Sequence, residues 1–539
     1  MKHKWIISAC SLLLGCLLLL ACTNGNTAQT AESDAAESAD PAASADVPES
    51  GLTFGEPSEG MPELPQGGHG NGQPPQGEPP QGDHGGHGNG QPPQGEPPQG
   101  GHGGHGNGQP PQGEPPQGGH GGHGNGQPPQ GGHGGSAADV SYSGATEITA
   151  EGTQSDQSYE STTANENALL IAADGTVTVQ NPTVTKTGDS DGGDACNFYG
   201  LNAAILCKDG ASVTITGGTI RSAASGANGV FCYGGNGGKN GASGDGTTVT
   251  ITDTVITTTG SGSGGIMTTG GGTTYANNLT VTTSGQSSAP IRTDRGGGTV
   301  TVSGGTYTSN GLGSPAIYST ADITVSDAAL ISNLSEGVVI EGKNSVKLEN
   351  CTLSANNTKR NGNASFLDSV RLYQSMSGDA ASGTSLFSMT GGILKSLSGH
   401  VFHVTNTNAL IELSGVSITN EDPENVLLSV CADGWSGAKN IAALKAVGQA
   451  LSGTILVGSD SELTLTLSDG SAFTGAISGA ITNAKGETVS SDVGTVHVTL
   501  DGTSTWILTA DTYITSFTGD ASRIVTNGFS LYVNGEKLV

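Results

Sequence analysis

A right-handed parallel β-helix is the fold this sequence predicts for residues 136–539, and three observations predict it. Short runs alternate apolar and polar residues between Gly, Asn, Asp, Ser or Thr, as in "SVTITGG", "TVTITDT", "TVTVSGG", "DITVSDA" and "LIELSGV". Period two between turn residues marks strands. Equivalent runs recur at a solenoid's step: Val300, Ile323 and Val346 stand 23 residues apart, Leu279 stands 21 before Val300, and Phe387 and Ile411 are 24 apart. Composition is the third observation. Ninety glycines, 4% aromatic and 12% charged residues do not describe an ordinary globular enzyme. Thin three-strand coils that bury a face only against their neighbours need few large side chains. A string of β-sandwiches would also show many short strands, but tight two-residue hairpin signals are scarce here.

Each coil should supply three inward points. A second apolar point follows the first run, at Ile220, Ile256, Tyr307, Leu330, Leu353, Ile393 and Ile418. A third follows a Gly/Ser-rich turn, at Ile266, Ile291, Ile317 and Val339. Where the period fails, a loop has been inserted. Val213 to Val249 spans 36 residues, with the surplus in "YGGNGGKNGASGDG" (233–246). Val346 to Phe387 spans 41, with the surplus in "ANNTKRNGNASFLDSVRLYQSMSGDAASG". Long loops from one side of a solenoid form its binding face or protect its edges. From "LTLTLSDG" to "LYVNGEKLV" the strands continue in shorter steps and end the stack.

Three segments precede this domain. Residues 1–21 read as a signal peptide: Lys2 and Lys4 lead an apolar run from Trp5 to Leu20, too short and wrongly flanked for a membrane span. Residues 22–60 are rich in Ala, Ser, Asp and Glu, with one sign of charge and little to bury, so they should be disordered. Residues 61–135 repeat an 18-residue unit, "HGNGQPPQGEPPQGGHGG", whose only apolar side chain is proline. Gly- and Pro-rich stretches of this kind make a low-complexity stalk. Over roughly 110 residues a coil reaches about 55–65 Å, enough to hold a domain away from a membrane.

Charge and cysteine usage narrow the partners. The formal net charge is −29, and after Lys4 the next cation is Lys186. Nucleic acid and anionic lipid surfaces both require clustered Lys/Arg, so neither is expected as a partner. An anionic polysaccharide would need bridging Ca²⁺. Beyond Cys22 come Cys196, Cys207, Cys232, Cys351 and Cys431, without CxxC spacing. An odd number leaves at least one thiol free, and small buried hydrophobes is the expected role.

The segment Leu19-Leu20-Ala21-Cys22 resembles the lipobox of bacterial lipoproteins, although Leu20 is larger than the residue commonest there. Leu13-Leu14-Gly15-Cys16 is a rival match, but cleavage there would leave "LLLLAC" at the new terminus. The resemblance implies acylation of Cys22 and display outside the cytoplasm, held to the bacterial membrane by the lipid alone. Together with the coil pattern and "GTSTWILTADTYITSF…NGFSLYVNG", it makes the chain similar to secreted or lipid-anchored β-helix proteins of the broad pectin-lyase-like group. Many of these are described as adhesin-like or carbohydrate-binding, others as lyases or hydrolases. The resemblance therefore implies a polysaccharide or surface receptor as partner, with catalysis as the alternative and a purely structural coat as a third reading.

Candidate sites are few. Arg292, Asp294 and Arg295 in "PIRTDRGGG" concentrate charge in a cation-poor chain; on a strand Arg292 and Asp294 share a face, while Arg295 needs a turn to join them. They are the candidate catalytic or ligand-contacting group, with a structural ion pair as the plainer reading. Tyr233, Phe198 and Tyr199 offer rings that could stack on a sugar or close a coil. Asp189, Asp191 and Asp194 share a Gly-rich turn whose oxygens suit Ca²⁺, or simply solvent. His84, His87, His102, His105, His120 and His123 form HGGH pairs able to gather weakly round a transition metal. Nothing pre-organises them, so the repeat reads first as a tether. His400 and His403, three apart on a strand, should point to opposite faces. Thr-rich runs are reminiscent of flat ice-binding arrays, but their ranks look irregular.

Overall fold

The computed structural model describes residues 140–237 and 243–539. The signal peptide, the acidic linker and the histidine repeats lie outside the described residues. The strands from Gly144 onward build a right-handed parallel β-helix. The chain visits three sheets in turn, one strand each per coil. The first sheet holds 13 strands, from Gly144–Ile148 to Ile477–Ser478; the second holds 14, from Gly152–Ser155 to Ser516–Thr518; the third holds 10, from Ser158–Ser161 to Ser417–Asn420. Twelve inter-strand steps in the first sheet make a stack roughly 58 Å long.

Inward residues stack as the alternation requires. Val177, Val213 and Val249 sit in register on the second sheet, followed by Val300, Ile323, Val346, Phe387 and Ile411. All are buried in one continuous core. Three expected positions are one residue or more out. Val300 lies on Thr274, while Leu279 is buried at the corner before the third sheet. Ile393 is 45% exposed and Leu394 takes the inward rank; Val338, not Val339, lies beside Ile317. In "GGIL" and "GVVI" two apolar residues are adjacent, so period two cannot choose between them. The register of the neighbouring coil does.

The turns explain the composition. Between the second and third sheets these coils place at least one residue in the left-handed region: Asn181, Gly217, Asp253, Asn278, Gly304 and Asp327 have φ between +48° and +67°. Asn, Asp and Gly are the residues that tolerate it. At the corner leading back to the first sheet, a Cβ on Gly285 would fall 1.8 Å from the Gly260 carbonyl oxygen. Three residues further on, Ser263, Ser288 and Ser314 form a ladder. The Ser288 hydroxyl donates to the Gly260 carbonyl at 3.1 Å and accepts the Ser263 N–H at 2.9 Å, and Ser314 repeats this one coil later. A Gly-x-x-Ser motif thus satisfies buried corner backbone in place of a strand.

Outward on the second sheet, the threonines do stack: Thr153, Thr178, Thr214, Thr250, then Tyr275, Thr301, Thr324 and Lys347 occupy one rank. The rank is more regular than the sequence indicates. It is also broken, by Tyr275 at 44% exposure and by Lys347, so no flat hydroxyl array results.

The third sheet ends early. Ser417–Asn420 has no strand partner beyond it, and Ala450–Ser452 of the next coil begins a separate four-stranded sheet. Gln449 closes one end of the opening. Its amide accepts the Val416 N–H at 2.7 Å and donates to the Val416 carbonyl at 2.8 Å, standing in for a backbone rung.

Candidate functional site

The long insertions all leave the stack at a border of the first sheet. Among the described residues, 187–204 and 357–367 lie between the third and first sheets, and 234–237, 243–247, 374–383 and 431–439 between the first and second. Among the described residues, the outer face of the first sheet is therefore the walled one. Register lines up Leu170, Leu206, Phe231, Met267, Arg292, Tyr318, Val339, Arg371, His403 and Ser429 along it. The rank is apolar at its start and, apart from Val339, polar after Met267.

The apolar part is covered. Helix Asp194–Tyr199 lays Phe198 and Tyr199 on Leu170, Leu206, Phe231, Tyr233 and Met267. Tyr199 meets Phe198 and Tyr233 edge to face, with centroids 6.1 and 5.8 Å apart. These three rings are at most 7% exposed, so they act as packing. Asp189, Asp191 and Asp194 are exposed round this helix and are not gathered: Asp189 accepts the Ser225 N–H at 2.7 Å, and Asp194 opens the helix. Among the described residues no group of three His, Cys, Asp or Glu could hold a metal ion. All five cysteines beyond Cys22 are buried thiols.

Beyond Met267 the face opens into a groove of two adjoining cavities, about 260 and 290 Å³, which share Gly313, Pro315, Tyr318, Asn361 and Tyr373. Its floor is Arg292, Tyr318, Val339 and Arg371 on successive coils. As the alternation implies, Arg292 and Asp294 meet, Nη2 to Oδ2 at 2.8 Å; Arg292 also donates to Asn197 and the Ser287 carbonyl. Arg295 turns away, to Asp379 at 2.6 Å with its guanidinium 4.2 Å over the Phe198 ring. Burial pushes the Asp294 carboxyl up to about 6, against the pull of Arg292 and with the help of Glu341.

The rest of the groove had no marker in the sequence. Glu341 is buried and accepts the Tyr318 hydroxyl at 2.6 Å, the Tyr373 hydroxyl at 3.0 Å and the Ser375 hydroxyl. Burial beside that carboxylate raises both phenols well above the usual range, so they stay donors. Arg371 is held by Glu336 at 2.9 Å and by Asp368 at 2.5 Å, and its guanidinium lies 5.6 Å from the Trp435 ring. Trp435 and Tyr373 pack with centroids 4.7 Å apart. Arg371 and Tyr373 sit in "DSVRLY", which reads as loop surplus until coil stacking puts both on this face.

His400 and His403 correct an expectation. They do not point apart: both Nδ1 atoms lie 2.7 Å from the Ser429 hydroxyl. Val401 and Phe402 both turn into the core, breaking the alternation between them. Phe366 packs against both imidazoles, with centroids 5.5 and 4.7 Å away.

Comparison with protein-family models, curated proteins and solved structures finds no match to this chain. The functional reading rests on the geometry of this face.

Proposed function

We propose that the protein is a lipid-anchored, cell-surface β-helix protein, adhesin-like in role, whose groove binds a neutral glycan without cleaving it. The observation that carries this is the groove's content: two arginines and three aromatic side chains, Tyr318, Tyr373 and Trp435, between loop walls that bring the amides of Asn361 and Asn363. Rings offer faces to sugar C–H groups, and fixed donors and acceptors read hydroxyls. Charge favours a neutral polymer, because Arg292 and Arg371 are set against Asp294, Glu336, Glu341 and Asp368. The lipobox at Cys22 and the low-complexity stalk support display at the surface.

Glycoside hydrolysis is the second reading, favoured by the raised Asp294 carboxyl near Glu341. A lyase fits less well, since an arginine held 2.8 Å from a carboxylate is a donor rather than a base. The test is to incubate the full chain with immobilised neutral and acidic glycans and to measure both retained protein and polymer length. Retention on a neutral glycan of unchanged length is expected, falling about tenfold in Trp435→Ala. Shortened polymer would establish the hydrolase, and retention on none would remove the glycan reading.

A further inference from the structure

Past the shoulder formed by Phe366, the same face carries a second, smaller cavity of about 180 Å³, lined among others by His400, Asp422, Glu424 and Asn483. Its floor is the end of a line of polar side chains, Asp433, His403, Ser429 and His400. The Asp433 carboxylate is fully buried, accepts the backbone N–H groups of Ser365 and Gly434 at 2.7 Å each, and lies 3.4 Å from His403 Nε2. Burial alone would push its carboxyl up, but the His403 imidazole, Arg371 and the Ser365 N–H bring it down to about 2. The Ser429 hydroxyl lies 2.7 Å from both His403 Nδ1 and His400 Nδ1. The line ends at His400 Nε2, on the cavity side. Ser429 is fully buried with both neighbours engaged, which excludes it as a nucleophile.

His400 is 5% exposed, and its Nε2 makes no hydrogen bond; the nearest charged group is Glu424 Oε2 at 3.9 Å. Two acceptors at that separation can share one nitrogen donor placed between them. The cavity wall adds the Asp422 carboxylate and no Lys or Arg. We propose that this cavity is a separate binding site for a primary ammonium group such as an amino sugar carries, with His400 Nε2 and Glu424 as its acceptors. Phe366 and Pro423 supply an apolar wall for the ring that bears the amine. Burial, reinforced by His403, lowers His400 to about 3, so its imidazole is uncharged throughout the neutral range where an ammonium is charged.

The experiment is calorimetric titration of the full chain with glucosamine at pH 6.5, with glucose and N-acetylglucosamine as the uncharged probes. Saturable one-to-one binding of glucosamine alone is expected, weakened at least tenfold in Glu424→Gln and in His400→Phe, and unchanged in Trp435→Ala. Glu424 is surface-exposed, so its variant reports on the site even if the His400 variant is unstable. Equal binding of glucose, no glucosamine binding at all, or full affinity in Glu424→Gln would each overturn the proposal. A loss in Trp435→Ala would also overturn it, by moving the amine to the groove.

Discussion

At the scale of single residues, the groove and the line from Asp433 to His400 depend on buried polar and charged groups that satisfy one another. Arg371 is 4% exposed between Glu336 and Asp368. Removing one member of a buried ion cluster strands the others, at about 3–5 kcal/mol. Arg371→Met should therefore lower the denaturant midpoint sharply, whereas Trp435→Ala at the groove wall should leave it nearly unchanged; equal shifts would show that the groove wall is structural. His400 gives a pH test with a definite sign. Its folded value, about 3, lies below the ordinary 6.5, so the unfolded chain binds the extra proton between these limits. The stability it contributes is present above pH 6.5 and is lost as pH falls towards 3. The difference in unfolding free energy between the protein and His400→Phe should shrink from pH 7 to pH 4, and a constant difference would show that His400 titrates normally. The sequence made part of this legible. Arg292 and Asp294, two apart on a strand, announced a shared face; Glu341 and Asp433 announced nothing, because their side-chain partners lie on other coils, and Arg371 stands three from Asp368, a spacing that alternation assigns to opposite faces.

Secondary-structure elements were legible to the extent that alternation was strict. Val300, Ile323, Val346, Phe387 and Ile411 fell into one rank from spacing alone. The slips at Val339 and Ile393 arose where two apolar neighbours left alternation undecided, and His400 was misplaced because Val401 and Phe402 both turn inward. Corners were legible as composition, not as geometry: Asp327 reads as a turn residue, but only the structure shows its φ of +55°. Asp327→Gly should be neutral within about 0.5 kcal/mol, and Asp327→Val should cost about 1–2 kcal/mol by forcing a β-branched residue into the left-handed region. Thermal unfolding of the pair checks this, and equal melting temperatures would deny the corner its conformational role. Gln449 is a different element-level device, a side chain that replaces a rung. Gln449→Ala would leave the Val416 N–H and carbonyl without partners, at about 1–3 kcal/mol for each buried group.

Across the whole β-helix, the division of the third sheet sets where the stack should come apart. In a solenoid each coil is held by its nearest neighbours, so stability is a sum of coil terms and coil-to-coil terms. Up to Ser417–Asn420 every step is bonded through all three sheets. At the next step the first and second sheets continue, by Val426–Val430 with Thr454–Val457 and by Asn440–Val447 with Ser461–Ser468, while the third sheet contributes only the Gln449 bridge. That step lacks the third-sheet strand pair present at every earlier one, so two-state behaviour should be least secure there. In intermediate denaturant, the coils after residue 450 should lose hydrogen-exchange protection while those between 205 and 350 keep theirs. The measurement is exchange mass spectrometry on peptides from each side, at matched denaturant. Gln449→Ala should widen the interval between the two transitions, because it removes the remaining third-sheet link without touching either neighbouring core. Loss of protection in one step along the whole stack, in both proteins, would mean that two continuous sheets suffice to couple the coils and that the missing rung has no mechanical consequence.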